Sequence, residues 1–215
     1  MEATTLVEPA SPPPPRGAVE PFWNAPNVIT LSRLGLAIFV FAGVAYGYYF
    51  ASLIIFVAAS LTDALDGFVA RRLGQETAIG RQLDPLVDKV INCGSYIYLL
   101  TLATARTGLY PWMVTTIVVR ELLIQGLRSH LEGRGQAFGA KWAGKFKTFF
   151  QCVSIGTILG TLWLETGASA PLTRLAAVRD LTTWLAVGLT IYSGLGYFAL
   201  AVTQFRGPTS VPSPR

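Results

Sequence analysis

Six long apolar stretches, at residues 29–48, 50–73, 80–105, 112–131, 140–164 and 181–205, constrain this chain more than any other feature. About 20 consecutive apolar residues suffice for an α-helix to cross the hydrocarbon of a bilayer. Within lipid only helices and closed barrels satisfy their own backbone groups. The expectation is an all-α integral membrane protein of six transmembrane helices in one domain. Composition agrees, because only 13% of the 215 residues are charged, against about 25% in ordinary soluble domains. "TARTGLYP" and "ETGASAPLTR" supply turn-rich breaks between helices.

The flanks differ in kind. Residues 1–26, "MEATTLVEPASPPPPRGAVEPFWNAP", are rich in proline and lack periodicity, as expected of a disordered tail. No basic segment precedes an apolar core with a small-residue cleavage site, so no cleavable signal peptide is expected. Residues 206–215 read as a second disordered tail. The membrane domain is therefore placed at residues 27–205.

Charge sets the orientation. Of the 17 Lys and Arg, all but Arg106, Arg174 and Arg179 fall on one side when both tails share that side. The positive-inside rule assigns the rich side, and both termini, to the cytoplasm. The expected location is the cytoplasmic (inner) membrane, with multiple passes. The net charge of +5 is read as topological or phosphate-binding, with no nucleic-acid partner, because no basic face accompanies a soluble fold. Cys93 and Cys152 match no metal-ligand spacing and read as small buried hydrophobes.

Against this oily background, "TDALDGFVARRLGQETAIGRQLDPLVDKV" concentrates four aspartates at the cytoplasmic ends of the second and third helices. Charge at such a depth calls for a partner and marks a functional site. Asp63, Asp66, Gly67 and Ala70 share one helical stripe, and Gly80, Asp84 and Asp88 share another. A short connection makes the helices antiparallel neighbours whose stripes can face each other. Four carboxylates so gathered repel one another. Hard divalent cations such as Mg²⁺, Mn²⁺ or Ca²⁺ relieve that repulsion, and a diphosphate can complete their coordination. Gly67, Ala70 and Gly80 would leave room for such a ligand, although small residues alone more often serve helix packing.

Asp63-x-x-Asp66-Gly67-x-x-Ala70-Arg71, eight residues, then Gly80-x-x-x-Asp84-x-x-x-Asp88 resembles the full signature of the CDP-alcohol phosphatidyltransferases. That resemblance implies a membrane enzyme of six helices, usually a homodimer, with its active site at the cytoplasmic face. It implies transfer of a phosphatidyl group from CDP-diacylglycerol to an alcohol, with release of CMP. It further implies that Asp63, Asp66, Asp84 and Asp88 bind two ions of Mg²⁺ or Mn²⁺, and that Asp88 is the catalytic base. Asp66, Gly67, Ala70, Arg71 and Gly80 would border the cytidine diphosphate. The acyl chains would remain among membrane lipids.

Downstream, Arg120-Glu121-x-x-x-x-Gly126-Leu127-Arg128 and Gly144-Lys145-x-Lys147-Thr148-x-x-Gln151 resemble the phosphatidylglycerophosphate synthase branch of that family. "NVITLSR", residues 27–33, does so too. The branch uses sn-glycerol 3-phosphate as acceptor. A dianionic phosphate needs guanidinium or ammonium partners, and Arg33, Arg120, Arg128, Lys145 and Lys147 are the candidates. For Arg120 an ion pair with Glu121 is the structural alternative. Phosphatidylinositol phosphate synthase and cardiolipin synthase are rival activities of the same family. A cation transporter with intramembrane carboxylates is a rival from another class. His130 reads as interfacial, and the tryptophans near helix ends as an aromatic belt.

Overall fold

The structure is a computed structural model that describes residues 25–73, 78–132, 142–167 and 173–205, with side chains over 31–62, 86–129, 144, 146–167 and 173–198. All regular structure among the described residues is helical. Six helices are long: α1 (Ala25–Ala45), α2 (Tyr49–Leu73), α3 (Ala78–Leu100), α5 (Pro111–Glu132), α6 (Trp142–Gly167) and α7 (Thr173–Phe205). A single turn, α4 (Thr104–Thr107), joins α3 to α5.

Three of the boundaries that differ from the sequence expectation have a local reason. The first helix stops at Ala45, before Tyr48. Gly47 takes a left-handed φ of 80°, its N–H meets the Val44 carbonyl at 3.3 Å, and the Tyr48 N–H meets the Gly43 carbonyl at 2.7 Å. That is the Schellman ending, which glycine permits at no steric cost. The third helix ends at Leu100, and the separate turn α4 closes on Gly108, also left-handed at φ 68°. The last helix begins at Thr173, eight residues before position 181. Its opening "TRLAAVRD" is rich in strong helix formers, which outweigh the turn signal just before it.

The long helices close a ring. α1 packs on α2, α2 on α6, α6 on α7, α7 on α5, α5 on α3, and α3 returns to α1; α3 also touches α6 across the middle. Val40, Phe56, Tyr96, Ile117, Ile155 and Leu162 fill the interior with almost no exposure. The Tyr96 hydroxyl donates to the Gln151 carbonyl at 3.2 Å, satisfying the one polar atom that this ring brings into the core.

The surface reverses the usual pattern. Ile38, Phe39, Leu61, Leu123, Leu195 and Phe198 are each at least 60% exposed, whereas Ser154, Thr183, Thr190 and Ser193 are buried. Hydroxyl pairs such as Ser154–Thr183 at 3.0 Å and Thr157–Thr182 at 2.8 Å bind α6 to α7. Among the described residues no helix is long and apolar enough to cross a membrane. Side chains are described on α1 and α2 only over residues 31–45 and 49–62.

One end of the ring is tied by Arg106, whose Nε lies 3.2 Å from the Glu165 carboxylate and whose guanidinium covers the Tyr49 ring at 5.5 Å. Beside it Arg179 donates to the Arg106 carbonyl at 2.7 Å and to Asp180 at 2.8 Å. Two of the three basic residues set apart by the charge count thus meet at the same end.

Candidate active site

α2 and α3 run unbroken through the aspartate motif, so the i, i+3 relation of Asp63 and Asp66 and the i, i+4 relation of Asp84 and Asp88 hold on real helices. The set consists of hard carboxylate oxygens, which fits Mg²⁺ or Mn²⁺. The side chains of Asp63, Asp66, Gly67, Ala70, Arg71, Gly80 and Asp84 lie outside the described residues, as do those of Lys145 and His130. The tails at 1–24 and 206–215, Arg134, Lys141 and the centre of the α2–α3 connection lie outside them as well.

Asp88 is described, and its neighbour is informative. Arg33, on α1, donates from Nη1 to the Asp88 carboxylate at 2.9 Å. The arginine side chain is 3% exposed and the aspartate 35%. Both residues have further contacts besides this pair. Arg33 was a candidate for the acceptor phosphate; its observed position is against the candidate base.

A second polar centre lies on α5, α6 and α7. Glu121, 4% exposed, is its hub. Lys147 donates to the Glu121 Oε1, Arg120 Nη1 donates to the same oxygen at 3.2 Å, and Gln151 Nε2 approaches it at 3.4 Å. Gln151 also donates to the Thr190 hydroxyl at 3.1 Å. Arg120 Nη2 reaches Ser193 at 2.6 Å, and its guanidinium covers the Tyr197 ring at 5.4 Å. Gly194 admits the arginine, since a Cβ there would lie 3.2 Å from the Arg120 Cγ.

The Arg120–Glu121 ion pair weighed as the alternative for Arg120 is present, and Lys147, a candidate for the same phosphate, lies against the same carboxylate. Gln151, the last position of the Gly144–Gln151 pattern, falls four residues after Lys147 and joins the same carboxylate. Thr190 and Ser193 carry no comparable signal, being hydroxyls in a helix read for packing or for a dimer seam.

Among the described residues the charges of this centre do not cancel. Two cations, Arg120 and Lys147, share one carboxylate. Arg128, two turns beyond Arg120 on α5, makes no hydrogen bond or ion pair among the described residues, and its Nε is buried without a partner. Lys89, next to Asp88, lies on α3, which packs against α5 and α6. An excess of positive charge in a partly buried setting is costly without an anion. The arrangement is suited to an anionic ligand.

Comparison with known proteins agrees with this chemistry. The chain is 35% identical over 193 residues to a protein of Bacillus subtilis strain 168 named CDP-diacylglycerol–glycerol-3-phosphate 3-phosphatidyltransferase, covering 82% of this chain and 94% of the relative. A protein of Escherichia coli strain K12 with the same name is 34% identical over 190 residues, covering 83% of this chain and 95% of the relative. A probable phosphatidylglycerophosphate synthase of Mycobacterium tuberculosis strain H37Rv is 35% identical over 191 residues, covering 86% and 84%. The family model for CDP-alcohol phosphatidyltransferase matches residues 23–192. Helices α1 to α6 and the first part of α7, with Arg33, the aspartate motif, Glu121, Lys147 and Gln151, fall inside that match, and the chain belongs to the CDP-alcohol phosphatidyltransferase family.

Proposed function

We propose that this enzyme transfers the phosphatidyl group of CDP-diacylglycerol to sn-glycerol 3-phosphate, giving phosphatidylglycerophosphate and CMP. The observation that supports this reading is the cation excess among the described residues at Arg120, Lys147 and Arg128, on helices α5 and α6 that pack against α3, the helix of Asp88. An acceptor that bears a phosphate supplies the missing anion, and one that bears only hydroxyls does not.

Asp88, steadied by Arg33, takes the proton from the acceptor's primary hydroxyl. The hydroxyl oxygen then bonds to the β-phosphorus of CDP-diacylglycerol, and the bond from that phosphorus to the bridging oxygen breaks. CMP leaves with the electron pair. Asp63, Asp66 and Asp84, together with Asp88, would hold Mg²⁺ or Mn²⁺, two ions per site. Such ions, when bound, neutralise charge on the diphosphate and on the departing oxygen. Asp66, Gly67, Ala70, Arg71 and Gly80 border the cytidine diphosphate. Arg120, Arg128, Lys145 and Lys147 orient the acceptor phosphate.

The protein acts in the cytoplasmic membrane, with six spans and both termini on the cytoplasmic side. Its exposed large apolar side chains and the buried hydroxyls between α6 and α7 support that placement, as does the asymmetry of basic residues. Two copies would form a homodimer, for which the exposed Tyr192, Leu195 and Phe198 of α7 offer an apolar face.

The test is a product assay on purified protein with CDP-diacylglycerol, a divalent cation and a panel of acceptors. Mass spectrometry should find phosphatidylglycerophosphate together with CMP when glycerol 3-phosphate is supplied. Release of CMP that depends on inositol phosphate or on phosphatidylglycerol instead would overturn the choice of acceptor. Cation flux through liposomes without any CDP-lipid turnover would overturn the reaction class.

A further inference from the structure

We propose that Glu121 is a positioning residue for the acceptor phosphate, a role that rests on the reaction proposed above. Its carboxylate is buried where α5, α6 and α7 meet, and it receives Lys147, Arg120 and Gln151 at one oxygen. Two of the three donors are anchored elsewhere as well. Gln151 is tied to Thr190, and Arg120 is tied to Ser193 and covers Tyr197. The carboxylate thereby fixes two cations from different helices at one spacing. A lysine ammonium and a guanidinium repel each other and adopt no common geometry without an anion between them.

Two roles of a buried glutamate predict opposite signs. A glutamate that merely offsets charge would, once neutralised, release positive potential and tighten binding of an anion. A glutamate that positions the cations would, once neutralised, let them move apart and weaken binding. Partial satisfaction also carries a structural cost, because Lys147 and Arg120 are 5% and 10% exposed at their side chains.

The experiment compares the wild-type protein with Glu121→Gln and Glu121→Asp in the same detergent. Steady-state turnover gives KM for glycerol 3-phosphate and for CDP-diacylglycerol, and calorimetric titration with glycerol 3-phosphate alone gives affinity without turnover. Positioning predicts that both variants raise KM for the acceptor and weaken its binding by about tenfold or more, with KM for CDP-diacylglycerol within about twofold. Glu121→Asp keeps the charge and shortens the reach, so it separates geometry from neutralisation. It also carries the test if Glu121→Gln does not fold, as thermal unfolding would reveal. Unchanged or tighter acceptor binding in the folded variants overturns the proposal, and so does an equal loss for both substrates. A wild-type protein that binds glycerol 3-phosphate without transferring to it would sink the proposed reaction. The effect of the two variants on binding would still decide the role of Glu121.

Discussion

Arg33 and Asp88, 55 residues apart in the chain, meet at 2.9 Å, with the arginine almost fully buried and the aspartate about one third exposed. The contact joins α1 to α3 and places a fixed positive charge against the carboxylate assigned the role of base. Two consequences for turnover follow from it.

If the guanidinium holds the carboxylate in line, Arg33→Ala should lower kcat by about tenfold to a hundredfold with little change in KM for CDP-diacylglycerol. Arg33→Lys keeps the charge but not the fork geometry and should fall between the two. Steady-state kinetics on the three proteins checks this, and a selective rise in KM for the acceptor would return Arg33 to the phosphate site instead.

Asp88→Asn removes the base and should depress kcat by about 10²- to 10⁴-fold. CDP-diacylglycerol affinity should fall much less, because three other carboxylates remain. Parallel titrations of nucleotide and turnover would reveal an equal loss in both, which contradicts a base.

Arg120 and Arg128 should part company in stability. Arg120 is bound to Glu121 and Ser193 and covers Tyr197, so Arg120→Ala should cost about 1–3 kcal/mol of folding free energy besides acceptor affinity. Arg128 pairs with nothing among the described residues, so Arg128→Ala should raise acceptor KM while moving stability by less than about 0.5 kcal/mol. Thermal unfolding alongside kinetics reads both, and a large destabilisation by Arg128→Ala would show that it has a structural partner.

Divalent metal should be required. Chelation with EDTA is expected to abolish CMP release, and added Mg²⁺ or Mn²⁺ to restore it. Turnover that persists after exhaustive chelation would leave the four-aspartate assignment without its chemistry.

Gly47 offers a test of the fold alone. A side chain at its left-handed φ of 80° is strained, so Gly47→Ala should destabilise by about 1–2 kcal/mol. It lies at the opposite end of α1 and α2 from the aspartates, so CMP release measured below the unfolding transition should be unaffected.

What was legible in the sequence follows from how local each signal is. The helices could be read because apolar length and helical period are local properties, and the aspartate motif because its residues recur on the faces of only two helices. The end of α1 at Ala45 was missed because a glycine between tyrosines in an apolar run resembles continuing helix until its φ is known. The Arg33–Asp88 pair and the Glu121 hub depend on which helices become neighbours, and that order is not the order of the chain. Basic residues at positions 120 and 147 suggested phosphate without showing that they would share a single carboxylate. Only packing of α5, α6 and α7 brings Thr190 and Ser193 into that network.

The order of helices around the ring bears on biosynthesis. α2 has α1 and α6 as neighbours, and α3 has α1, α5 and, across the middle, α6, so the acid-bearing pair acquires its last wall only when the second half of the chain arrives. A nascent polypeptide halted after α5 would already contain every aspartate of the motif, yet it would lack Lys147 and the helix that seats Gln151. Competence is thus conferred late in translation, by the segments farthest from the signature.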